Sequence, residues 1–361
     1  MKSTDIASQG RLPGLDGLRA VAVLMVLIHH FVPPSDSGSL FSKFVSRAGY
    51  GVEIFFVISG FLITHLLLRE EFRNGRISLP LFYARRALRI LPPLVVFLLT
   101  MMIAMQAGLL FIPEVDLIAS LLFVRNFVGT SPETGHLWTL AIEEQYYLLW
   151  PAVLVLIRSH RLRVLLTTCF IFLSPLWFEL NRYIVHGDYL NMFRTDLRLA
   201  PLAVGSLLAL LLWAPISHRW LIHRAINNSW FAMMAPGVIG LLFLANITHI
   251  PIVRSFVVTL NWIIIALFIN CLVHNSQSTL TQLFEFRPLA WVGTLSYSLY
   301  LWQQPFAPYV PRMTPAWFRV FPVNLCFALA FAVASYYLLE RPLLSMRGRL
   351  RPDSKDARQS A

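Results

Sequence analysis

The stretch LDGLRAVAVLMVLIHH, from Leu15 to His30, decides the fold because it is an apolar helix that carries ionisable side chains. Arg19 and His30 are eleven residues apart, so on an α-helix they share one stripe and lie about 16 Å apart along the axis. Ionisable groups inside a membrane span are costly and usually functional. The structural alternative is an arginine whose head reaches the interface at one end and a histidine at the membrane edge at the other.

The composition is typical of a polytopic membrane protein. Of the 361 residues, 57% are hydrophobic and 13% are charged, whereas a soluble domain carries about 25% charged residues. Mean hydropathy is +0.63. The formal net charge is +12, but its distribution among the loops follows membrane topology, so it does not indicate nucleic-acid binding. Cys169, Cys271 and Cys326 fall in apolar runs and form neither a metal motif nor a disulfide framework.

Ten apolar runs are long enough, or nearly so, to cross a hydrocarbon core about 30 Å thick. They lie at about 17–33, 50–68, 92–112, 137–157, 164–181, 197–214, 230–248, 255–273, 290–308 and 320–339. The predicted fold class is therefore all-α, a polytopic integral membrane protein with about ten transmembrane helices. If both termini are cytoplasmic, most of the 30 lysine and arginine residues lie on the cytoplasmic side. The apolar piece from Leu117 to Val124 is too short to cross and is predicted to be interfacial or re-entrant.

The first cytoplasmic loop is unusual because its basic residues are all arginines. Between Arg69 and Arg89 it holds six arginines and no lysine, and its end, FYARRALRILPP, has a helical pattern as far as Pro92. Arg86 and Arg89 share a face of that helix, with Arg85 alongside. Arginine binds phosphate in a bidentate fashion, whereas lysine would serve topology equally well. The loop therefore predicts a polyphosphate site, the alternative being topology and contact with anionic lipid headgroups.

The fourth apolar run opens with GHLWTLAIEEQYYLLWP and carries the second set of candidates. His136, Leu140, Glu143 and Tyr147 fall on one helical face if the helix begins that early. A carboxylate two turns inside the membrane needs a partner or a polar cavity. The alternative is a structural pair between this carboxylate and a basic residue of another span.

The sixth run begins FRTDLRLAPLAVGSLLA and has a charged cluster at its outer end. Arg194 and Arg198 are one turn apart, with Asp196 between them, so the cluster predicts either a site for an acidic or polyol acceptor or a structural salt bridge. The polar residues of the second and ninth runs are interpreted as mainly structural. The sequence contains no glycine-rich phosphate loop, nucleophile elbow or metal motif.

Taken together, these stretches resemble the membrane acyltransferase-3 family. The resemblance covers most of the chain and rests on seven ordered motifs, LDGLRAVAVLMVLIHH, GVEIFFVISGFLIT, FYARRALRILPP, HLWTLAIEEQYYLLWP, FRTDLRLAPLAVGSLLA, SYSLYLWQQPF and YYLLERPL. The family's arginine and histidine fall on Arg19 and His30. Its Arg-x-x-Arg falls on Arg86 and Arg89, and the first glutamate of its fourth-span pattern falls on Glu143.

The resemblance implies acyl transfer from cytoplasmic acyl-CoA, expected to be acetyl-CoA, to a carbohydrate hydroxyl. It implies His30 as general base, a task suited to a group that titrates near neutrality. Arg86, Arg89 and Arg19, with Arg85 beside them, are expected to bind the phosphates of CoA, while Glu143 orients His30, stabilises its imidazolium or binds the acceptor. His136, Arg194, Asp196 and Arg198 are the predicted acceptor-binding residues. Acyl-CoA is a donor substrate, and no permanently bound cofactor or metal is expected.

Two departures from the family pattern affect these expectations. Thr139 replaces the usual serine, and Gln303 stands where many members have histidine, so no catalytic role is assigned to Gln303. The predicted division is a cytoplasmic segment 1–14, a membrane acyltransferase domain 15–342 and a basic, disordered cytoplasmic tail 343–361. The short tail favours the stand-alone form, without the C-terminal hydrolase-like domain of some members.

Several acceptors and two other classes of protein stay open at this stage. The first acceptor is an exopolysaccharide or O-antigen unit, or its lipid-linked precursor, at the bacterial inner membrane, and the second is a macrolide or other small secondary metabolite. A transporter or flippase would also place charges inside the membrane, but no inverted repeat supports it. A scaffold protein leaves the buried histidine and glutamate unexplained. Membrane lipids are expected partners, nucleic acid is not, and the sequence sets no oligomeric state.

Overall fold

The computed structural model describes residues 12–32, 39–185, 193–214, 250–310, 317 and 320–346. All regular secondary structure in these residues is helical and none is a strand, which confirms the all-α class. The predicted span at 230–248 lies outside the described residues, as do residues 1–11 and 347–361 of the two predicted terminal segments.

The helices are numbered here in chain order. They are α1 Leu15–Phe31, α2 Leu40–Arg47, α3 Gly51–Asn74, α4 Leu79–Gln106, α5 Glu114–Leu121, α6 Leu137–Leu156, α7 His160–Val185, α8 Thr195–Arg198, α9 Ala200–Leu212, α10 Pro251–His274, α11 Thr279–Phe284, α12 Arg287–Thr294, α13 Ser296–Gln303, α14 Val323–Ser335 and α15 Arg341–Met346. A π-helical turn, Tyr336–Glu340, joins α14 to α15.

Five helices of the described part are long and apolar enough to cross a membrane. They are Leu40–Asn74, Leu79–Gln106, His160–Ile184, Pro251–His274 and Val323–Ser345. The structure thus agrees with a multi-pass membrane protein, while the count of ten spans and the orientation stay predictions. The piece 117–124, predicted to be too short to span, overlaps the short helix α5, which begins at Glu114 and ends at Leu121.

Helix α4 differs from the sequence expectation at its prolines. The pattern predicted one helix that ends at Pro92 and a membrane span that begins there, but α4 runs without a break through Pro92 and Pro93 to Gln106. Proline removes a backbone hydrogen bond, so a helix continues through it only where tertiary packing compensates. Here the turns beyond the prolines bury Leu94 and Phe97, which are both fully enclosed.

Glycines let the helices around the opening stretch approach at backbone distance. A Cβ added at Gly60 of α3 would lie 1.9 Å from the carbonyl oxygen of Leu202, and one at Gly205 of α9 would lie 2.0 Å from that of Val57. Helix α1 meets α12 in the same way, since a Cβ at Gly293 would lie 1.7 Å from the Asp16 carbonyl oxygen. Such contacts between small residues hold membrane helices together where no hydrophobic force acts between them.

We therefore expect Gly205→Leu to separate α3 from α9 and to destabilise the protein by at least about 1–3 kcal/mol, the usual range for overpacking. Thermal unfolding of the detergent-purified protein measures this as a lower melting temperature. Leu66→Phe is the control, because Leu66 lies on α3 and is 49% exposed. Equal melting temperatures for the two variants would contradict the close helix crossing.

Candidate active site

Predicted residues from the first apolar run, the arginine loop and the fourth run line one cavity, which we call the arginine cavity. Its volume is about 690 Å³, counting the space open to solvent. Five helices contribute, and the charged and hydroxyl residues of its wall are Arg19, Ser59, Arg86, Arg89, Thr139, Glu143, Tyr147, Ser296, Tyr297 and Tyr300. The structure therefore brings together Arg19 of the opening stretch, the Arg-x-x-Arg pair and the fourth-span glutamate, which are far apart in the chain.

Arg86 is held in this wall by groups of α6. Its Nη2 donates to Glu144 Oε1 at 3.4 Å, and its guanidinium carbon lies 3.8 Å from the centre of the Tyr147 ring. Glu143 accepts a hydrogen bond of 2.7 Å from the Ser59 hydroxyl of α3. Adjacent glutamates point about 100° apart on a helix, so one lines the cavity while the other holds the arginine.

The remaining basic candidates of this region have different surroundings. Arg19 Nη1 lies 3.9 Å from Asp16 Oδ1 and faces the cavity. Arg85 donates to Glu70 Oε2 at 2.8 Å, and the other oxygen of Glu70 accepts from the Ser78 backbone N–H at 2.9 Å. Arg85 is not part of the cavity wall, so its contact with the carboxylate ties the end of α3 to the start of α4.

His30 lines a second cavity, which we call the histidine cavity. Its volume is about 1730 Å³, counting the space open to solvent. The residues of its wall that bear on its chemistry are His29, His30, Arg125, His136, Trp138, Phe193, Tyr300 and Gln304. Val52 and Tyr300 belong to the walls of both cavities, so the two cavities meet at these residues.

The orientation of the His30 ring is set by Gln303. His30 Nδ1 lies 2.6 Å from the Gln303 side-chain oxygen, and Gln303 is completely buried at the end of α13. An amide oxygen only accepts hydrogen bonds, so Nδ1 carries the proton and Nε2 of the neutral ring keeps a lone pair. A buried acceptor that fixes the imidazole tautomer is the usual support of a histidine base.

His136 lies at the start of α6 with a similar division between its two nitrogens. Its Nε2 lies 3.0 Å from the Leu301 carbonyl oxygen and donates to it, whereas Nδ1 is buried and has no hydrogen-bond partner in the described part of the chain. The carbonyl oxygen of His136 accepts from the Tyr300 hydroxyl at 3.0 Å, and the Thr139 hydroxyl lies 2.6 Å from that of Tyr300. Thr139, the departure from the usual serine, therefore anchors the tyrosine between the two cavities.

A loop after α5 covers the histidine cavity and is held by a buried ion pair. Arg125 Nη2 lies 3.4 Å from Asp116 Oδ2 and also donates to the Ser131 carbonyl oxygen at 2.7 Å. Its other N–H groups donate to the Thr134 hydroxyl and the Val128 carbonyl oxygen. Burial lowers the pKa of the Arg125 guanidinium, and the Asp116 carboxylate opposes part of that shift. These bonds give Arg125 a structural task.

The sixth-run cluster lies behind the wall of the histidine cavity. Arg194 binds Asp196 through two hydrogen bonds of 3.1 and 2.9 Å, and the indole N–H of Trp177 donates to the same carboxylate at 2.8 Å. Arg198 lies 3.5 Å from Glu53 and 5.7 Å from the centre of the Trp138 ring. None of the three predicted residues is among those that line either cavity.

Sequence reasoning missed four residues that the structure places in or beside the two cavities. Gln303 was set aside because the family pattern has histidine there, although its place next to Trp302 in the ninth-run motif was a usable signal. Ser59, Tyr300 and Gln304 belong to the second and ninth runs, whose polar residues are interpreted from the sequence as mainly structural. Among the described residues, no group of three or more histidine, cysteine, aspartate or glutamate side chains lies together as a metal site would.

Comparison with known proteins places the chain in a family. Residues 12–341 match the acyltransferase-3 family, described as an acyltransferase domain, and the chain belongs to it. O-acetyltransferase OatA of Staphylococcus aureus is 32% identical over 360 residues, covering 92% of this chain and 57% of the relative. Another Staphylococcus aureus protein, named only provisionally as an O-acetyltransferase, is 30% identical over 368 residues, with the same coverage of both chains.

Two limits of that similarity bear on function. The chain spans little more than half the length of these relatives. No solved structure shows a significant match to it. Family membership confirms the resemblance seen in the motifs and agrees with the predicted enzyme class, a membrane acyltransferase.

We expect Gln303→Leu to lower the turnover of acyl transfer by about 10- to 100-fold, because His30 loses the acceptor that fixes its tautomer. The KM for the acyl donor should change little, since Gln303 is not among the residues that line the arginine cavity. Gln303→Glu is the matched variant: it keeps an acceptor and stabilises the imidazolium, so activity returns with the acidic limb of the pH–rate profile moved to higher pH. A purely structural glutamine would leave the pH profile of Gln303→Glu unchanged.

Proposed function

We propose that this protein transfers an acyl group from cytoplasmic acyl-CoA to a hydroxyl of a cell-surface carbohydrate or its lipid-linked precursor. The acyl group is expected to be acetyl. The observation that carries the proposal is the junction of the two cavities at Val52 and Tyr300, with arginines in one and the His30 base in the other. Family membership and the names of the relatives support O-acyl transfer as the reaction.

In this proposal the arginine cavity takes the phosphate end of the donor. Arg19, Arg86 and Arg89 offer guanidinium groups, which bind phosphate oxygens in pairs of hydrogen bonds. Glu143 was expected to assist His30 or the acceptor, but it lines this cavity and not the one that holds His30. It lies within electrostatic reach of all three arginines and accepts a hydrogen bond from Ser59, so it orients the cations and limits their mutual repulsion. The arm of CoA then extends along α1 and past Tyr300, which brings the thioester towards His30.

The chemical step is assigned to His30. Nε2 removes the proton from the acceptor hydroxyl while the hydroxyl oxygen forms a bond to the thioester carbonyl carbon. The C–S bond breaks, and the imidazolium returns the proton to the CoA sulfur as the thiol leaves. Gln303 keeps the Nδ1 proton in place throughout and stabilises the positive ring between the two transfers.

The membrane arrangement proposed with this reaction has ten spans in the bacterial inner membrane and both termini in the cytoplasm. The loop around Asn74 is then cytoplasmic, and the loop that covers the histidine cavity faces the outside. The positive-inside distribution of arginine supports this orientation.

A macrolide or other small metabolite is the second acceptor, and a transporter or flippase of polar substrates is the alternative of a different class. A flippase moves its substrate without chemistry. Release of CoA therefore separates a flippase from the enzyme, and the mass of the acylated product separates the two acceptors.

We expect purified protein to release CoA from labelled acetyl-CoA in a manner that depends on His30. His30→Ala should abolish transfer, a loss of about 10²–10⁴-fold or more for a general base, while membrane insertion stays intact. His274→Ala is the control, because His274 lines neither cavity and its Nδ1 lies 3.0 Å from the Asn270 carbonyl oxygen of its own helix. Transfer at the wild-type rate in His30→Ala would contradict the proposed mechanism. The absence of CoA release from the wild-type protein would favour the flippase.

The orientation is tested by cysteine labelling in intact cells. In a background in which Cys169, Cys271 and Cys326 are replaced, a membrane-impermeant maleimide should label Thr130→Cys and leave Asn74→Cys unlabelled until the cells are opened. Both positions are exposed, so accessibility to solvent is matched. Labelling of Asn74→Cys in intact cells would contradict a cytoplasmic arginine loop.

A further inference from the structure

Two buried acceptors in the wall of the histidine cavity have no donor among the described residues. They are His136 Nδ1 and Gln304 Oε1, on side chains only 3% and 4% exposed. The donor atoms of the same side chains are already used, since His136 Nε2 donates to Leu301 and Gln304 Nε2 donates to the Pro132 carbonyl oxygen at 2.8 Å. Buried polar atoms in native proteins are nearly always hydrogen-bonded to protein or to ordered water, so these two acceptors are available to a water molecule or to a ligand hydroxyl that displaces it.

The same cavity has an aromatic surface beside these acceptors. The rings of Trp138 and Phe193 lie 4.7 Å apart, centre to centre, and both are half-buried and part of the wall. Arg198 lies 5.7 and 5.9 Å from the two ring centres without lining the cavity, and its contact with Glu53 holds it there. An aromatic surface with a few convergent polar atoms suits a ligand that has both an apolar face and hydroxyl groups.

The charges of the cavity select against an anionic ligand. Apart from its histidines, the only ionisable cation among the described residues of the wall is Arg125. Arg125 is paired with Asp116, and its Nε, Nη1 and Nη2 atoms all donate within the loop. A carboxylate or phosphate here would face acceptor lone pairs and, apart from the histidines, would find no cation among the described wall residues that is not already bonded.

We propose that the histidine cavity is a binding site for a neutral sugar ring. The C–H face of the ring packs on Trp138 beside Phe193, and hydroxyl groups donate to His136 Nδ1 and Gln304 Oε1. The hydroxyl that lies next to His30 Nε2 is then the one that is acylated. This site rests on the proposed function and adds to it that the acceptor is a neutral glycoside, in place of an acidic sugar or a macrolide.

Ligand-detected NMR by saturation transfer tests the site in the wild-type protein without acyl-CoA. Methyl glucopyranoside is the probe, methyl glucopyranosiduronate is its anionic match, and erythromycin represents the macrolides. We expect saturation transfer to the ring C–H protons of the neutral probe and binding weaker by about tenfold for the uronate. Equal binding of the uronate, displacement of the glycoside by erythromycin, or no transfer to the glycoside would overturn the proposal.

Variants locate the binding within the cavity. Trp138→Ala should weaken binding of methyl glucopyranoside by about tenfold, and Trp138→Phe should restore most of it. Gln304→Leu should weaken it by about fivefold through the lost hydrogen bond. Trp291→Ala is the control, because Trp291 is 45% exposed and belongs to neither cavity wall. Undiminished binding in both Trp138→Ala and Gln304→Leu would place the sugar elsewhere.

Failure of this inference is distinguishable from failure of the proposed function. If the wild type releases CoA but binds the uronate or erythromycin in preference to the glycoside, the acyl transfer is supported and the neutral sugar site is rejected. If the glycoside binds as expected but acetyl-CoA is not consumed, the sugar site is supported and the acyl transfer is rejected. Binding is measured without the donor, so each result is read independently.

Discussion

The hydrogen bond between His30 Nδ1 and the Gln303 side-chain oxygen is the interaction on which the candidate site depends. At 2.6 Å it joins the end of α1 to the end of α13, two segments 273 residues apart in the chain. It leaves Nε2 as the basic atom, because the amide oxygen accepts and never donates. Without it, the ring would change tautomer freely, and neither nitrogen would hold a lone pair in a constant position.

That bond needs α1 to be held firmly, and backbone packing provides this. Gly293 of α12 admits the Asp16 carbonyl oxygen, and Gly51 admits the Ala22 carbonyl oxygen, where a Cβ would lie only 2.4 Å away. Gly60 and Gly205 do the same for the neighbouring pair α3 and α9. Small residues at these interfaces let the helix backbones pack closely. The helix that carries Arg19 and His30 is therefore held in position between the two cavities.

The two cavities divide the polar chemistry of the protein between them. One collects guanidinium groups, with Glu143 and Glu144 beside them to offset part of their charge. The other combines lone pairs of His30, His136 and Gln304 with an aromatic surface, while Arg125 and Asp116 neutralise each other in the loop above it. A polyanionic donor and a neutral acceptor would therefore find complementary surroundings on opposite sides of Val52 and Tyr300.

The sequence by itself determined the all-α class, the membrane character and the family, because hydropathy, helical spacing and ordered motifs are local properties. The family resemblance also predicted that Arg19, Arg86 and Arg89 share one site, whereas Glu143 was expected to act with His30 or the acceptor and lines the arginine cavity instead. Only the tertiary structure decided that Arg85 binds Glu70 and that Gln303 is the hydrogen-bond partner of His30. It also decided that the Arg194 cluster lies behind the wall of the histidine cavity. Hydrogen bonds between distant segments depend on how helices cross, and no spacing within a single helix encodes that crossing.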